Sequence, residues 1–306
     1  MNRQKQRVGW GAFPAALWAA LQWRLLLLWV VFMALPTAVA TLPLGHALGE
    51  RLDHLVNGSR LAQGFDALPM SDVIVSVARH GGPLVSAGQA ALLVTMLLAP
   101  FLTGMVVVAA RPGRQAGMGM LVHGGLGQYW RMVRLMLWGL IPFAIAIAVG
   151  MAAFHAASGH ADVAVLQSSA DHGYLAAKIV LVVMLVLAHA ILESARAQVA
   201  ADDTLRSATR AFGRGLMLLL RRPLATLGLY LATSVVGYVL AALVVMWRVR
   251  TVAAGPAGLV IAVLLAQLVV VILAWQRIAR LDALARLARV ATTRRRAGGG
   301  SLAPAM

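Results

Sequence analysis

The chain has 306 residues, of which 61% are hydrophobic and 12% charged, and its mean hydropathy is +0.82. A soluble domain of this length cannot cover so many apolar side chains with polar surface. The net charge of +17 has no soluble basic domain or stacking-aromatic motif beside it, so nucleic acid is not a predicted partner. The absence of cysteine excludes disulfides, thiolate metal sites and a cysteine nucleophile.

Six apolar segments predict an all-α polytopic membrane protein with six transmembrane helices and additional interfacial amphipathic helices. As a helix, each segment can cross a hydrocarbon core of about 30 Å. The predicted spans are residues 25–44, 86–110, 135–154, 173–192, 224–246 and 257–275. Together they form a six-span membrane domain, 25–275, with an outer segment at 41–85 and a cytoplasmic loop at 193–223. Pro100 and Pro142 lie inside predicted spans, where proline favours a kink.

Basic segments flank the spans. Residues 1–24 contain four basic residues and no acidic one, with apolar residues at helical spacing, which predicts an amphipathic helix on the inner membrane surface. Residues 111–134 predict a basic, glycine-rich loop that leads into an interfacial helix. Residues 276–306 predict a basic cytoplasmic tail that begins as an arginine-faced amphipathic helix and ends in disorder.

The distribution of positive charge predicts the orientation. Most of the 27 Lys and Arg residues lie in the two terminal segments and in 111–134 and 193–223. The positive-inside rule therefore places these segments, and both termini, in the cytoplasm. Only two basic residues are lysine, which together with the richness in alanine indicates a GC-rich bacterium. The predicted location is the bacterial inner membrane.

The loop at 193–223 contains a candidate binding helix. After acidic residues at 202 and 203, apolar residues recur on one helix face and arginines on another, and those arginines are Arg206, Arg210 and Arg214. Acidic residues suit a helix N-terminus, and an arginine row suits lipid phosphates or an acidic partner. The alternative is an interfacial helix that only anchors the fifth span.

The fourth span carries a polar stripe. At 100° per residue, one helix face collects Asp171, Lys178, His189, Glu193 and Arg196. Ionisable groups at membrane depth are candidates for a proton path or an anionic headgroup site. The alternative is that Lys178 and His189 reach opposite interfaces by snorkelling.

Catalytic and metal motifs are absent from the sequence. Histidines and carboxylates crowd residues 46–54 and 155–172, but neither group has a recognised ligand spacing. There is no P-loop, dinucleotide fingerprint or G-x-S-x-G elbow. No catalytic residue, metal or other cofactor is predicted.

Three similar runs each place an aromatic residue and arginines before an odd-numbered span: FPAALWAALQWRLLLLWVV, GQYWRMVRLMLWGLIP and RAFGRGLMLLLRRPLATLGLYL. They indicate a threefold repeat of surface helix, span, outer loop and span, although ordinary membrane-surface statistics also produce this pattern.

The run ARAQVAADDTLRSATRAFGRGLMLLLRRPLATLGLYL, with LQWRLLLLWVVFMALPTAVATLPLGHALGERLDH near the start, resembles a family of uncharacterised bacterial six-span membrane proteins. More distantly, the chain resembles the membrane domain attached to some glycerophosphodiester phosphodiesterases. Their catalytic part is a separate soluble barrel with no counterpart here, so the resemblance implies membrane embedding and no activity.

Three functions are consistent with these observations. The leading hypothesis is a non-enzymatic scaffold or accessory subunit in envelope or lipid homeostasis, whose partners are anionic headgroups on the cytoplasmic side and a second membrane protein. A transporter or permease subunit for a small or lipidic substrate predicts a midplane cavity lined by Lys178, Gln267 and Thr95. An intramembrane enzyme with a histidine-rich outer site predicts that His155, His160 and His172 converge on each other or on His46 and His54.

Overall fold

A computed structural model describes residues 12–52, 82–111, 116–162, 167–251 and 255–299, and the regular structure within these ranges is helical throughout. The helices are α1 (Ala12–Ala19), α2 (Trp23–Leu52), α3 (Gly82–Ala109), α4 (Met118–Ala161), α5 (Gln167–Ala201), α6 (Ala208–Arg221), α7 (Pro223–Arg250) and α8 (Gly255–Gly299). All except α1 and α6 are long and apolar enough to cross a membrane. The predicted all-α, six-span architecture is confirmed.

Local sequence signals define α6 as a separate helix. The Ser207 side chain caps its N-terminus by accepting a hydrogen bond from the Arg210 backbone N–H at 3.3 Å. Pro223 then begins α7, where a missing N–H costs nothing. In contrast, the interfacial helix predicted before the third span is continuous with that span in the 44-residue α4. The helices also continue through Pro100 and Pro142.

Consecutive long helices pack against each other, with the most extensive pairing between α4 and α5 and further pairings of α2 with α3, α3 with α4, and α7 with α8. Small residues allow close approach. A Cβ added at Gly104 would lie 2.9 Å from the Gly125 carbonyl oxygen, so α3 and α4 touch through their backbones. Such contacts are typical of helices that associate in lipid.

The core is concentrated at one end of the bundle, which we call the basal end. Here α1, α6, the C-terminal part of α5 and the second half of α8 meet the long helices. The core includes Trp29, Phe101, Met105, Leu121 and Leu284. Elsewhere along the long helices, large apolar side chains are exposed, including Leu92, Ile147, Val182, Leu243 and Val263. This distribution suits helices whose outer surface faces lipid.

The tail segment that was predicted as an arginine-faced amphipathic helix is the second half of α8 in the structure. Helix α8 runs without interruption to Gly299, and most of its side chains between residues 276 and 288 are buried. Helices α1, α2, α5 and α7 contact α8, and Arg286, whose side chain is 38% exposed, pairs with Asp282. Residues 300–306 lie outside the described residues. So do residues 53–81 of the predicted outer segment, while α2 extends past its predicted end to Leu52.

Candidate functional site: an ionic cluster and a cleft at the basal end

A buried ionic cluster surrounds Glu193, whose exposed fraction is 1%. One carboxylate oxygen, Oε1, lies 2.6 Å from Arg196 Nη1 and 3.9 Å from His189 Nε2. The other oxygen lies 3.7 Å from Arg280 Nε. Residues 192–200 of α5 are all buried, so this carboxylate is shielded from water and relies on buried counter-charges, Arg196 on the same helix and Arg280 on α8.

Hydrogen bonds extend the ionic cluster across the bundle. His189 Nδ1 lies 2.7 Å from the Tyr230 hydroxyl oxygen, and Arg280 Nη1 donates to Ser234 Oγ at 3.2 Å, so both connect to α7. Arg277 Nη2 donates to Thr103 Oγ1 of α3 at 2.7 Å, and its guanidinium lies 5.4 Å from the Trp29 ring centroid of α2. The cluster therefore links five helices, with one carboxylate facing the guanidiniums of residues 196, 277 and 280.

The structure brings together three of the five predicted stripe residues and separates the other two. His189, Glu193 and Arg196 belong to the ionic cluster, while Asp171 and Lys178 are exposed towards the other end of α5, Lys178 about 16 Å from His189 at 1.5 Å per residue. Arg277 and Arg280 were missed because their segment was interpreted as a basic cytoplasmic tail. The signal that could have identified them is their position on the helix: at 100° per residue they lie on the side opposite Asp282, Arg286 and Arg289.

A cleft opens between α6, the C-terminal end of α5 and the second half of α8. We call it the α6 cleft, and its volume is about 660 Å³. Its lining residues are Gln198, Asp202, Arg210, Gly213, Arg214, Met217, Leu218, Arg221, Arg222, Ala291 and Thr292. The transporter hypothesis required Lys178, Gln267 and Thr95 to line a cavity, and none of them lines this cleft. The Thr95 hydroxyl donates instead to the Ala91 carbonyl.

The predicted arginine row lies on α6 and in the segment before it. Arg210 and Arg214 line the α6 cleft, whereas Arg206 is exposed outside it. Arg214 Nη1 donates to Asp202 Oδ2 at 2.9 Å. The Thr204 hydroxyl donates to the other oxygen of that carboxylate, Oδ1, at 2.6 Å. This hydrogen bond is the main cause that holds the pKa of Asp202 below its usual value, and Arg214 contributes further. Sequence reasoning missed Arg221 and Arg222, which extend the arginine surface to the start of α7.

Helix α6 lies directly on the α5 backbone. A Cβ added at Gly215 would lie 2.5 Å from the Ala195 backbone nitrogen. The face of α6 that packs inward includes Ala208, Ala211 and Leu219; the apolar periodicity predicted Ala208 and Leu219 but not Ala211. The opposite face carries the arginines together with apolar side chains, and α6 is therefore an amphipathic helix held against the bundle.

The histidines of the predicted outer site make separate local contacts. His160 Nε2 lies 3.1 Å from Ser169 Oγ, and His172 Nδ1 contacts the Ser168 carbonyl oxygen. Within the described residues, no three His, Cys, Asp or Glu side chains are grouped so that they could hold a metal ion. His54 lies outside the described residues, and for His46 only the helical backbone is described.

No family model, curated protein or solved structure matches the chain. Its class is therefore defined by the fold and the site alone. The protein is a polytopic helical membrane protein with six long apolar helices, a buried ionic cluster and an arginine-lined cleft at its basal end.

Proposed function

We propose that this is a non-enzymatic multi-pass protein of the bacterial inner membrane that binds anionic lipid headgroups on its cytoplasmic face. In this role it is a scaffold or accessory subunit in envelope or lipid homeostasis. The observation that supports the proposal best is the mixed surface at the junction of α6 and α7. Two arginines, Arg221 and the half-buried Arg222, are flanked there by exposed large apolar side chains.

The apolar side chains at this junction suit a membrane interface. Leu220 is 66% exposed and Leu224 is 88% exposed, although both are leucines that gain free energy by leaving water. Arg221 and Arg222 lie between them in sequence, and Arg210 lies on α6. With the leucines at the acyl boundary, the guanidiniums reach the phosphate level, where each contributes about 1 kcal/mol of attraction to an anionic surface.

The basal end faces the cytoplasm in this proposal because it collects the basic segments of the chain. The absence of cysteine allows a direct test of orientation with single introduced cysteines. Thr209→Cys introduces a cysteine at an exposed position of α6, and Ser168→Cys introduces one at an exposed position near the opposite end of α5. In intact spheroplasts, a membrane-impermeant maleimide should label the cysteine at 168 and should label that at 209 only after permeabilisation. The reverse pattern contradicts the proposed orientation.

Lipid binding is tested with purified protein in detergent, by comparing its melting temperature after addition of phosphatidylglycerol or phosphatidylcholine. We expect phosphatidylglycerol alone to stabilise the protein, and salt to weaken this effect. Replacing Arg206 and Arg210 together by glutamine should reduce the stabilisation, while Arg250→Gln, at an exposed arginine on the end of α7 far from α6, serves as control. Equal stabilisation by the two lipids contradicts the proposal, as does turnover of a lipid or ester by the purified protein.

A further inference from the structure

We propose that the α6 cleft is a binding site for a phosphomonoester, the doubly charged terminal phosphate carried by a lipid or by a small polar molecule. This inference rests on the proposed function and specifies which anionic headgroup the protein selects. Three features of the α6 cleft support it: its charge, a side-chain amide that makes no hydrogen bond to the described residues, and its shape.

The charge of the α6 cleft favours a dianion. Four arginines line it against one carboxylate, Asp202, which is paired with Arg214. The guanidiniums of Arg210, Arg221 and Arg222 form no ion pair with any carboxylate in the described parts of the chain. A phosphomonoester presents three terminal oxygens and up to two negative charges, and guanidinium binds such oxygens through paired hydrogen bonds. A phosphodiester offers one charge and two free oxygens, and therefore satisfies fewer of these donors.

Gln198 supplies the second, independent feature. It lines the α6 cleft although its exposed fraction is only 3%. Its side-chain amide makes no hydrogen bond to any residue that the structure describes, in contrast to Gln276, which is buried to the same extent and donates to the Ser234 carbonyl. The amide is therefore available to a ligand that enters the cleft. A phosphate oxygen at the inner end of the cleft would accept a hydrogen bond from this amide.

The shape of the cleft leaves room for the rest of the ligand. A volume of about 660 Å³ exceeds that of a phosphate group alone and lies within the range of ordinary ligand sites. Met217, Leu218 and Ala291 provide an apolar wall. At Gly213, also on the wall, an added Cβ would meet no atom within 4 Å. The glycerol carbons of a lipid, or the carbon skeleton of a soluble phosphomonoester, would contact these residues.

The test compares three lipids in nanodiscs that contain the full-length protein: phosphatidic acid, a phosphomonoester; phosphatidylglycerol, a phosphodiester; and phosphatidylcholine. Binding is measured by native mass spectrometry after release from the nanodisc. We expect phosphatidic acid to bind at least about tenfold more tightly than phosphatidylglycerol, as one additional hydrogen bond to a charged group predicts. Soluble glycerol 3-phosphate, added to the detergent-solubilised protein, then distinguishes the source of the phosphate.

Two variants assign the preference to the α6 cleft. Gln198→Leu removes the amide at nearly constant volume, and Gly213→Phe places a ring in the cleft from a position where an added Cβ meets no atom within 4 Å. Each should reduce the preference for phosphatidic acid by about tenfold. Gly127→Phe is the matched control, because Gly127 also has no atom within 4 Å of an added Cβ and lies on α4, outside the cleft. Gly213→Phe keeps the test decisive if Gln198→Leu lowers the yield of folded protein.

The outcomes separate this inference from the proposed function. Binding of phosphatidic acid without glycerol 3-phosphate supports a lipid ligand, and binding of glycerol 3-phosphate supports a soluble one. Equal binding of phosphatidic acid and phosphatidylglycerol, both above phosphatidylcholine, overturns the phosphomonoester site and leaves the proposed function intact. A preference that survives both cleft variants also overturns the site. Equal binding of all three lipids overturns both proposals.

Discussion

Replacing Glu193 by glutamine should strongly destabilise the basal end. Glutamine keeps the volume of the side chain but removes the only carboxylate of the ionic cluster, so Arg196 and Arg280 lose their counter-charge. Only 8% of Arg196 and 5% of Arg280 are exposed, so water cannot replace the lost carboxylate. Arg196 Nη1 lies 2.6 Å from Glu193 Oε1, and Arg280 Nε lies 3.7 Å from Glu193 Oε2. Breaking a buried pair in this way costs about 3 to 5 kcal/mol.

The measurement is thermal unfolding of the purified protein in detergent. At about 2 °C per kcal/mol for a chain of this size, Glu193→Gln should lower the melting temperature by roughly 6 to 10 °C. The matched control is Asp203→Asn. Asp203 Oδ1 lies 2.8 Å from Arg111 Nε, but its side chain is 66% exposed, so its loss should cost less than about 1 kcal/mol.

A double-mutant cycle tests the charge argument itself. Arg280→Gln should be less destabilising in the Glu193→Gln background than in the wild-type protein, because it then removes an uncompensated positive charge. If Glu193→Gln unfolds within 2 °C of the wild type, or if Arg280→Gln costs the same in both backgrounds, the ionic cluster does not depend on this carboxylate. Either result means that the buried charge of Glu193 does not stabilise Arg196 and Arg280.

Two further predictions concern α6 and the turn before it. Gly215→Ala should destabilise the protein by about 1 to 3 kcal/mol, because the new methyl group meets the Ala195 backbone. Gly213→Ala, the control, should be neutral or stabilising by up to about 1 kcal/mol. Equal melting temperatures for the two variants contradict the close contact. Because the pKa of Asp202 is lowered in the folded protein, its stabilising contribution is present above the usual pKa of about 4 and is lost as the pH falls through the lowered value. Thr204→Val removes the main cause of that shift, so its destabilisation should be largest at neutral pH and should decrease as the pH falls below about 4. Melting between pH 7 and pH 3 measures this, and a difference that does not depend on pH assigns the effect to packing.

Much of the architecture could be predicted from local patterns. Apolar length alone identified the six spans, and every predicted span lies within a long helix, except that residue 110 falls one position beyond the end of α3. The amphipathic period of residues 205–219 predicted the inward face of α6 in part: Leu205, Ala208 and Leu219 are buried, whereas Phe212 and Leu216 are half-buried. The ionic cluster was predicted only in part, because helical periodicity can align His189 with Glu193 and Arg196 but cannot identify a counter-charge on another helix.

The sequence by itself determined the class of the protein, since hydrophobic length and turn signals such as Ser207 and Pro223 act over a few residues. Only the tertiary structure decided what surrounds the charged residues. An arginine such as Arg277 is typical of a surface when its own segment is considered alone, yet here it donates a hydrogen bond to Thr103, which lies 174 residues away in the chain. The physical reason is that the burial of a charge depends on partners from distant segments. Gln198, buried at the inner end of the α6 cleft, could likewise be recognised only once α5, α6 and α8 were in place.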